Sequence, residues 1–125
     1  MATNRKINSV SYPAGSDLSA AQYRVVQMDD DGQIGLQVGT ATPALGILLN
    51  KPAAAGRACQ IAIVGSVVKV EAGAAINERA YIHGTVSGFA ITAAGAESHC
   101  VGIALTPAAG SGELFEMLVT PQANT

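Results

Sequence analysis

The sequence predicts an all-β fold: a small single-domain β-barrel or sandwich of short antiparallel strands, preceded by an extended N-terminal arm. Three observations carry this. β-rich runs recur along the 125 residues with turn residues between them, at the spacing of roughly eight to twelve residues that marks sandwiches and barrels. No helical segment alternates with these runs, which argues against a βαβ architecture. Apolar residues make up 49% of the chain but aromatics only 4%, with 14 glycines among them, and small side chains at that density suit closely packed strands and tight turns better than a deep pocket.

Residues 1–16 differ from the rest. They hold Arg5 and Lys6, no acid, and only Ile7, Val10 and Tyr12 as sizeable apolar groups before Pro13-Ala14-Gly15. This alternating, basic stretch reads as an extended arm, with a frayed terminus as the competing reading. Residues 17–125 then form the single β domain, and residues 1–12 are expected to be removable without unfolding it.

Ser16-Asp17 can cap a short turn over 18–21. The run 23–28 is rich in β-formers, and after Asp29-Asp30-Asp31-Gly32 the residues Ile34, Leu36 and Val38 alternate with polar ones and glycine. Two such runs joined by an Asp-rich turn closing on Gly predict a hairpin. The Asp triplet resembles the start of a calcium loop, but the position twelve along, where the loop needs a glutamate, is Thr40; turn chemistry is the better account.

Strands are expected at 44–49 and 58–70, with Gly65 as a bulge or bend in the longer one. There Cys59, Ile61 and Ile63 share one face and Gln60, Ala62 and Val64 the other. Residues 74–78 are read as one helical turn. Further strands are expected at 79–82, 89–92, 100–105 and 114–120, with a turn around Ser87-Gly88. An internal echo is also present: Leu45-Gly46-Ile47-Leu48-Leu49 runs on to Pro52-Ala53-Ala54, and Val101-Gly102-Ile103-Ala104-Leu105 runs on to Pro107-Ala108-Ala109. The two copies differ by one residue in loop length when matched this way, so an old duplication and one hairpin design used twice both account for them.

The composition also limits function. A net charge of −2, with seven Lys and Arg scattered singly apart from Arg5-Lys6, offers no basic face for phosphates, so no nucleic-acid partner is expected. No run approaches the roughly 20 apolar residues of a membrane span, and the first residues lack the apolar core of a secretory signal; a soluble protein made in a cytoplasm is expected. Cys59 and Cys100 have no CxxC partner and read as small buried hydrophobes. His99 abuts Cys100, but neighbours in a strand point to opposite faces and cannot readily share a metal. His83 stands alone. The nine carboxylates nearly all sit beside glycines or at proposed turns, where solvated charge is the default. No metal, no cofactor and no catalytic residue is predicted. A compact β domain with an arm and little titratable chemistry is suited to contact with other proteins.

Three stretches resemble the capsid decoration, or cement, proteins of tailed phages: Pro13-Ala14-Gly15-Ser16-Asp17-Leu18-Ser19, Gly46-Ile47-Leu48-Leu49-Asn50-Lys51-Pro52 and Gly65-Ser66-Val67-Val68-Lys69-Val70-Glu71-Ala72-Gly73, with Val101-Gly102-Ile103-Ala104-Leu105 fitting as well. They span residues 12–120 in the right order. One departure is Asn77-Glu78-Arg79, where such proteins often place a Gly-Asp turn. The resemblance implies a non-enzymatic, homotrimeric virion protein on the outer shell, with the major capsid protein as its partner. It also implies that the arm reaches that partner, which makes Arg5, Lys6, Ile7, Val10 and Tyr12 the candidate capsid-contacting residues. A carbohydrate- or host-binding module on a virion is the alternative.

Overall fold

The computed structural model describes residues 2–29, 31–37, 43–85, 87–93 and 100–122. Ten strands follow in chain order: β1 (Ser9–Pro13), β2 (Val25–Met28), β3 (Ile34–Leu36), β4 (Gly46–Leu48), β5 (Ala58–Ala62), β6 (Val67–Glu71), β7 (Tyr81–Gly84), β8 (Ala90–Thr92), β9 (Cys100–Ala104) and β10 (Leu114–Gln122). They build two five-stranded antiparallel sheets, ordered β1-β5-β4-β2-β3 and β6-β10-β9-β7-β8. The all-β expectation is met, and among the described residues there is no helix.

The two sheets share one topology, and their registers match residue by residue. Val26 lies opposite Gly46 in the first sheet and Ile82 opposite Gly102 in the second, a displacement of 56 positions (102 − 46). The same displacement relates Leu48↔Ile61 to Ala104↔Met117 and Met28↔Ile34 to Gly84↔Ala90. For β1 and β6 it is 58 positions (68 − 10): Val10 lies opposite Ile61, and Val68 opposite Met117. Turn geometry repeats too. Gly32 and Gly88 both have φ of 79°, Gly56 and Gly112 have 86° and 89°, and Tyr23 and Arg79 have 69° and 67°.

The internal echo is therefore a complete structural repeat, with its loops in a different match from the Pro-Ala-Ala alignment. The Leu18 amide donates to the Pro52 carbonyl at 2.8 Å and the Ile76 amide to the Ala108 carbonyl at 2.9 Å. Pro52 thus corresponds to Ala108, not Pro107, and the loops are equal in length.

Within each repeat the sheet curls. A single parallel bridge joins its far edges, Ala14 to Ile34 in the first repeat and Ala72 to Ala90 in the second, so the sheets are bent towards a barrel without closing. The concave face of the first encloses Leu18, Val26, Ile34, Leu48, Cys59 and Ile61. A larger cluster spans both repeats: it holds Val25, Ile47 and Ala62 of the first together with Val68, Val101, Phe115 and Val119 of the second. Burying a side chain of this kind contributes about 1.5–3 kcal/mol, so this shared cluster is a principal source of stability.

Several expectations change. The 58–70 run is two strands in two sheets, not one bulged strand: β5 ends at Ala62 and β6 begins at Val67, with Gly65 at φ 93° in the turn between them. Residues 74–78 form no helical turn, because Ile76 bridges antiparallel to Ala108. The cap on the short turn after Asp17 does form as expected: the Asp17 carboxylate accepts from the Ser19 amide at 2.9 Å, and hydrogen bonding to the Ser19 side chain and backbone holds its pKa below the usual value. The hairpin at 25–36 forms as expected, closed by the Asp29 amide donating to the Gln33 carbonyl at 2.7 Å. Asp30, Val38, Thr40 and His99 lie outside the described residues.

Candidate interaction surfaces

The N-terminal residues lace the two repeats together. Ser9–Pro13 are a full edge strand paired with β5, and Ala14 is fully buried. Upstream, the chain crosses to the other sheet: the Arg5 and Lys6 amides donate to the Val67 carbonyl at 2.8 and 3.2 Å, and the Lys6 carbonyl accepts from the Val67 amide. Asn8 holds the crossing, since its amide donates to Ser66 Oγ and the same hydroxyl donates back to its carbonyl, each at 2.9 Å. Residues 4–8 thus cover the edge of β6, an exposed edge being otherwise open to pairing with another chain.

The five candidate contact residues fall into two groups. Arg5, Lys6 and Ile7 lie on the β6 edge, and Ile7 is 47% exposed. Val10 and Tyr12 belong to β1. Together with Leu45, Ile63, Val64 and Pro121 they line an open apolar groove of about 520 Å³. Removing residues 1–12 would therefore take Ser9–Tyr12 out of β1 and uncover the first repeat's core.

Glu116 is the functional-looking group that sequence reasoning missed. Solvated charge is the sequence expectation for nearly all the carboxylates, yet Glu116 sits within β10 and is only 3% exposed. Arg5 Nε donates to its Oε1 at 2.8 Å, the Thr3 amide to its Oε2 at 3.0 Å, and its own amide to Thr106 Oγ1 at 2.9 Å. The Arg5 hydrogen bond, with a further one from Thr3, holds the Glu116 carboxyl below the ordinary carboxylate range. The only sequence signal was its place in an alternating run, 114–120, where period two puts it on a sheet face.

A second ion pair joins the repeats. Arg24 Nε lies 3.3 Å from Glu71 Oε1, and the Arg24 guanidinium stacks over Phe89, 4.0 Å from the ring centroid. Lys69 covers Tyr23 from the other side of the joint at 4.7 Å. These charges fasten structure.

Among the described residues no three His, Cys, Asp or Glu side chains gather as a metal site. Cys59 and Cys100 are buried, and burial pushes the Cys59 thiol up, away from the reactive thiolate. His83 Nδ1 lies 3.0 Å from the carbonyl of Gly84.

No protein-family model matches the chain, and no curated protein sequence matches it. Among solved structures the chain is similar to the head fiber gp8.5 N base in bacteriophage phi29, with a TM-score of 0.64 and 20% identity over 90% of this chain and 95% of that one. At that identity the likeness establishes a shared fold over nearly the whole of both chains.

Proposed function

We propose that this chain is a structural, non-enzymatic virion protein that binds the outer surface of an expanded phage capsid as a homotrimer and stabilises the shell. The observation that carries this reading is the likeness, end to end, to the head fiber gp8.5 N base of bacteriophage phi29. The sequence resemblance to capsid decoration proteins points the same way, as does the scarcity of groups arranged for chemistry.

The physical logic is mass action. A protein that binds the expanded shell and not its disrupted form stabilises the former, and many copies each touching several subunits add avidity without a strong individual contact. In this reading the exposed residues Arg5, Lys6 and Ile7 on the β6 edge meet the major capsid protein. Val10 and Tyr12, held in β1, present the first repeat's apolar groove.

The test is co-sedimentation with expanded capsids of the phage that carries this gene, against unexpanded shells, together with the temperature at which the shells open. Binding restricted to expanded shells and a raised opening temperature are expected. Absence of both overturns the reading. The alternative of a carbohydrate-binding module has Tyr12 and Tyr81 as its large exposed aromatic rings among the described residues. They sit on different sheets, whereas a stacking platform needs rings on one, and saturable binding on a glycan array would revive it.

A further inference from the structure

The joint between the two repeats buries one face of the first repeat in one side of the second. On the first repeat this face is Val25, Ile47 and Ala62 with the partly buried Leu49, and they share one cluster with Val68, Val70, Val101 and Val119 of the second, which we take as the receiving side. Because the repeats correspond residue by residue, each of these surfaces has a counterpart that the intramolecular joint leaves unused.

The counterpart of the buried face is Tyr81, Ile103, Leu105 and Leu118, on the outside of the second sheet. Tyr81, Ile103 and Leu118 lie in one cross-strand row. Where Val25 is fully buried, Tyr81 is 45% exposed, and Leu105 is 41% exposed. The counterpart of the receiving side is Val10, Tyr12, Leu45 and Ile63. Where Val70 is fully buried, Tyr12 is 41% exposed, and these four line the groove of about 520 Å³. The chain thus carries an exposed apolar face on the second sheet and an open apolar groove lined mainly by the first repeat.

We propose that the Tyr81 face of one copy docks in the Tyr12 groove of a second copy of this chain, repeating between chains the joint that already holds the two repeats together. The occupant follows from the duplication: the joint within the chain shows which surface fits that groove. The contact is head-to-tail, so it closes into a ring or extends according to the rotation it imposes.

Two details bear on it. The N-terminal segment lies over Glu116, whose counterpart Gln60 is exposed in the first repeat; that position is outside the joint, so the segment leaves the face open. The polar fastening of the inner joint is not duplicated, for Arg24 and Glu71 correspond to Ala80 and Pro13. Without that ion pair, and without a covalent link to raise the effective concentration, the outer joint is weaker than the inner one and depends on protein concentration.

This inference deepens the oligomeric part of the proposed function and rests on the duplication, not on capsid binding. The test uses two surface variants of the full chain, Tyr81→Asp with Leu105→Asp on the face and Tyr12→Asp with Val64→Asp at the groove. Mass is read by sedimentation up to about 1 mM, where even a joint with a Kd of about 1 mM is visible. The wild-type chain is expected to rise above one-chain mass with concentration, and each variant alone to stay at one chain. An equimolar mixture of the two is expected to reach two chains and stop, because one intact face and one intact groove remain to pair. Circular dichroism melts identify any variant that unfolds, and serine at the same positions then replaces aspartate. A wild-type chain that stays single, variants that associate normally, or a mixture that fails to pair overturns the head-to-tail joint. A single chain that still sediments with expanded capsids would remove the joint and leave the capsid reading standing.

Discussion

Arg5 Nε donates to Glu116 Oε1 at 2.8 Å across 111 residues of sequence, tying the start of the chain to its last strand. The segment it anchors shields the β6 edge and carries three of the candidate contact residues. Replacing Glu116 by Gln is expected to free residues 3–6 without unfolding the sheets. Hydrogen exchange at the Arg5 and Lys6 amides should quicken, while amides in β9 and β10 keep their protection.

The same pair sets a pH dependence. Its folded-state partner holds the Glu116 carboxyl below its ordinary value, so the stabilisation is fully present above the ordinary carboxylate pKa of about 4.3 and is lost as pH falls through the lower folded value. Acidification below about pH 4 is therefore expected to release the N-terminal segment. Exchange or limited proteolysis across pH 3–6 checks this, and E116Q should be indifferent to pH over that range.

Gly46 and Gly102 stand at corresponding positions, and a Cβ at either would run into a facing backbone carbonyl, that of Ala62 or Leu118. Backbone cannot yield as a side-chain tip can, so Gly46→Ala and Gly102→Ala should each cost about 3 kcal/mol or more by urea unfolding.

Gly56 and Gly112 are the contrasting pair. Nothing lies within 4 Å of a Cβ at either, and both have positive φ. Alanine there meets only the left-handed backbone penalty, so each substitution is expected to cost about 1–2 kcal/mol. Similar losses at both sites would show that the duplicated turn behaves alike in both repeats.

Cys59 and Cys100 are buried, and burial keeps the Cys59 thiol protonated. Neither is expected to react with a thiol reagent at neutral pH on the timescale of a free cysteine. Labelling should follow global unfolding, with a rate that rises in parallel with denaturant.

Gly65 and Glu116 show where sequence reading stopped short. A glycine inside a long β-run signals a break, and the break is real. But a bulge within one sheet and a passage to another leave the same local pattern, since both need only positive φ. Glu116 looked like ordinary solvated charge because its cover, Thr3 and Arg5, comes from the far end of the chain. The 74–78 turn failed for a related reason: Ala and Asn-Glu favour a local turn, and the Ile76–Ala108 bridge overrode it. The hairpin at 25–36 was legible because its turn chemistry and alternation are both local.

By itself the sequence determined the class of this protein. Strand periodicity, turn glycines and small apolar residues specify β structure through local sterics, and the echo around Gly46 and Gly102 already marked two similar units. Only the tertiary structure decided that these units form a full repeat and that one buries its Val25 face in the other. It also decided that Tyr81 and Tyr12 are left with no counterpart to cover them. Two near-identical patterns carry no record of which copy packs on which, and that choice is made by the short turn at Ile63–Ser66 and the long-range contacts it permits.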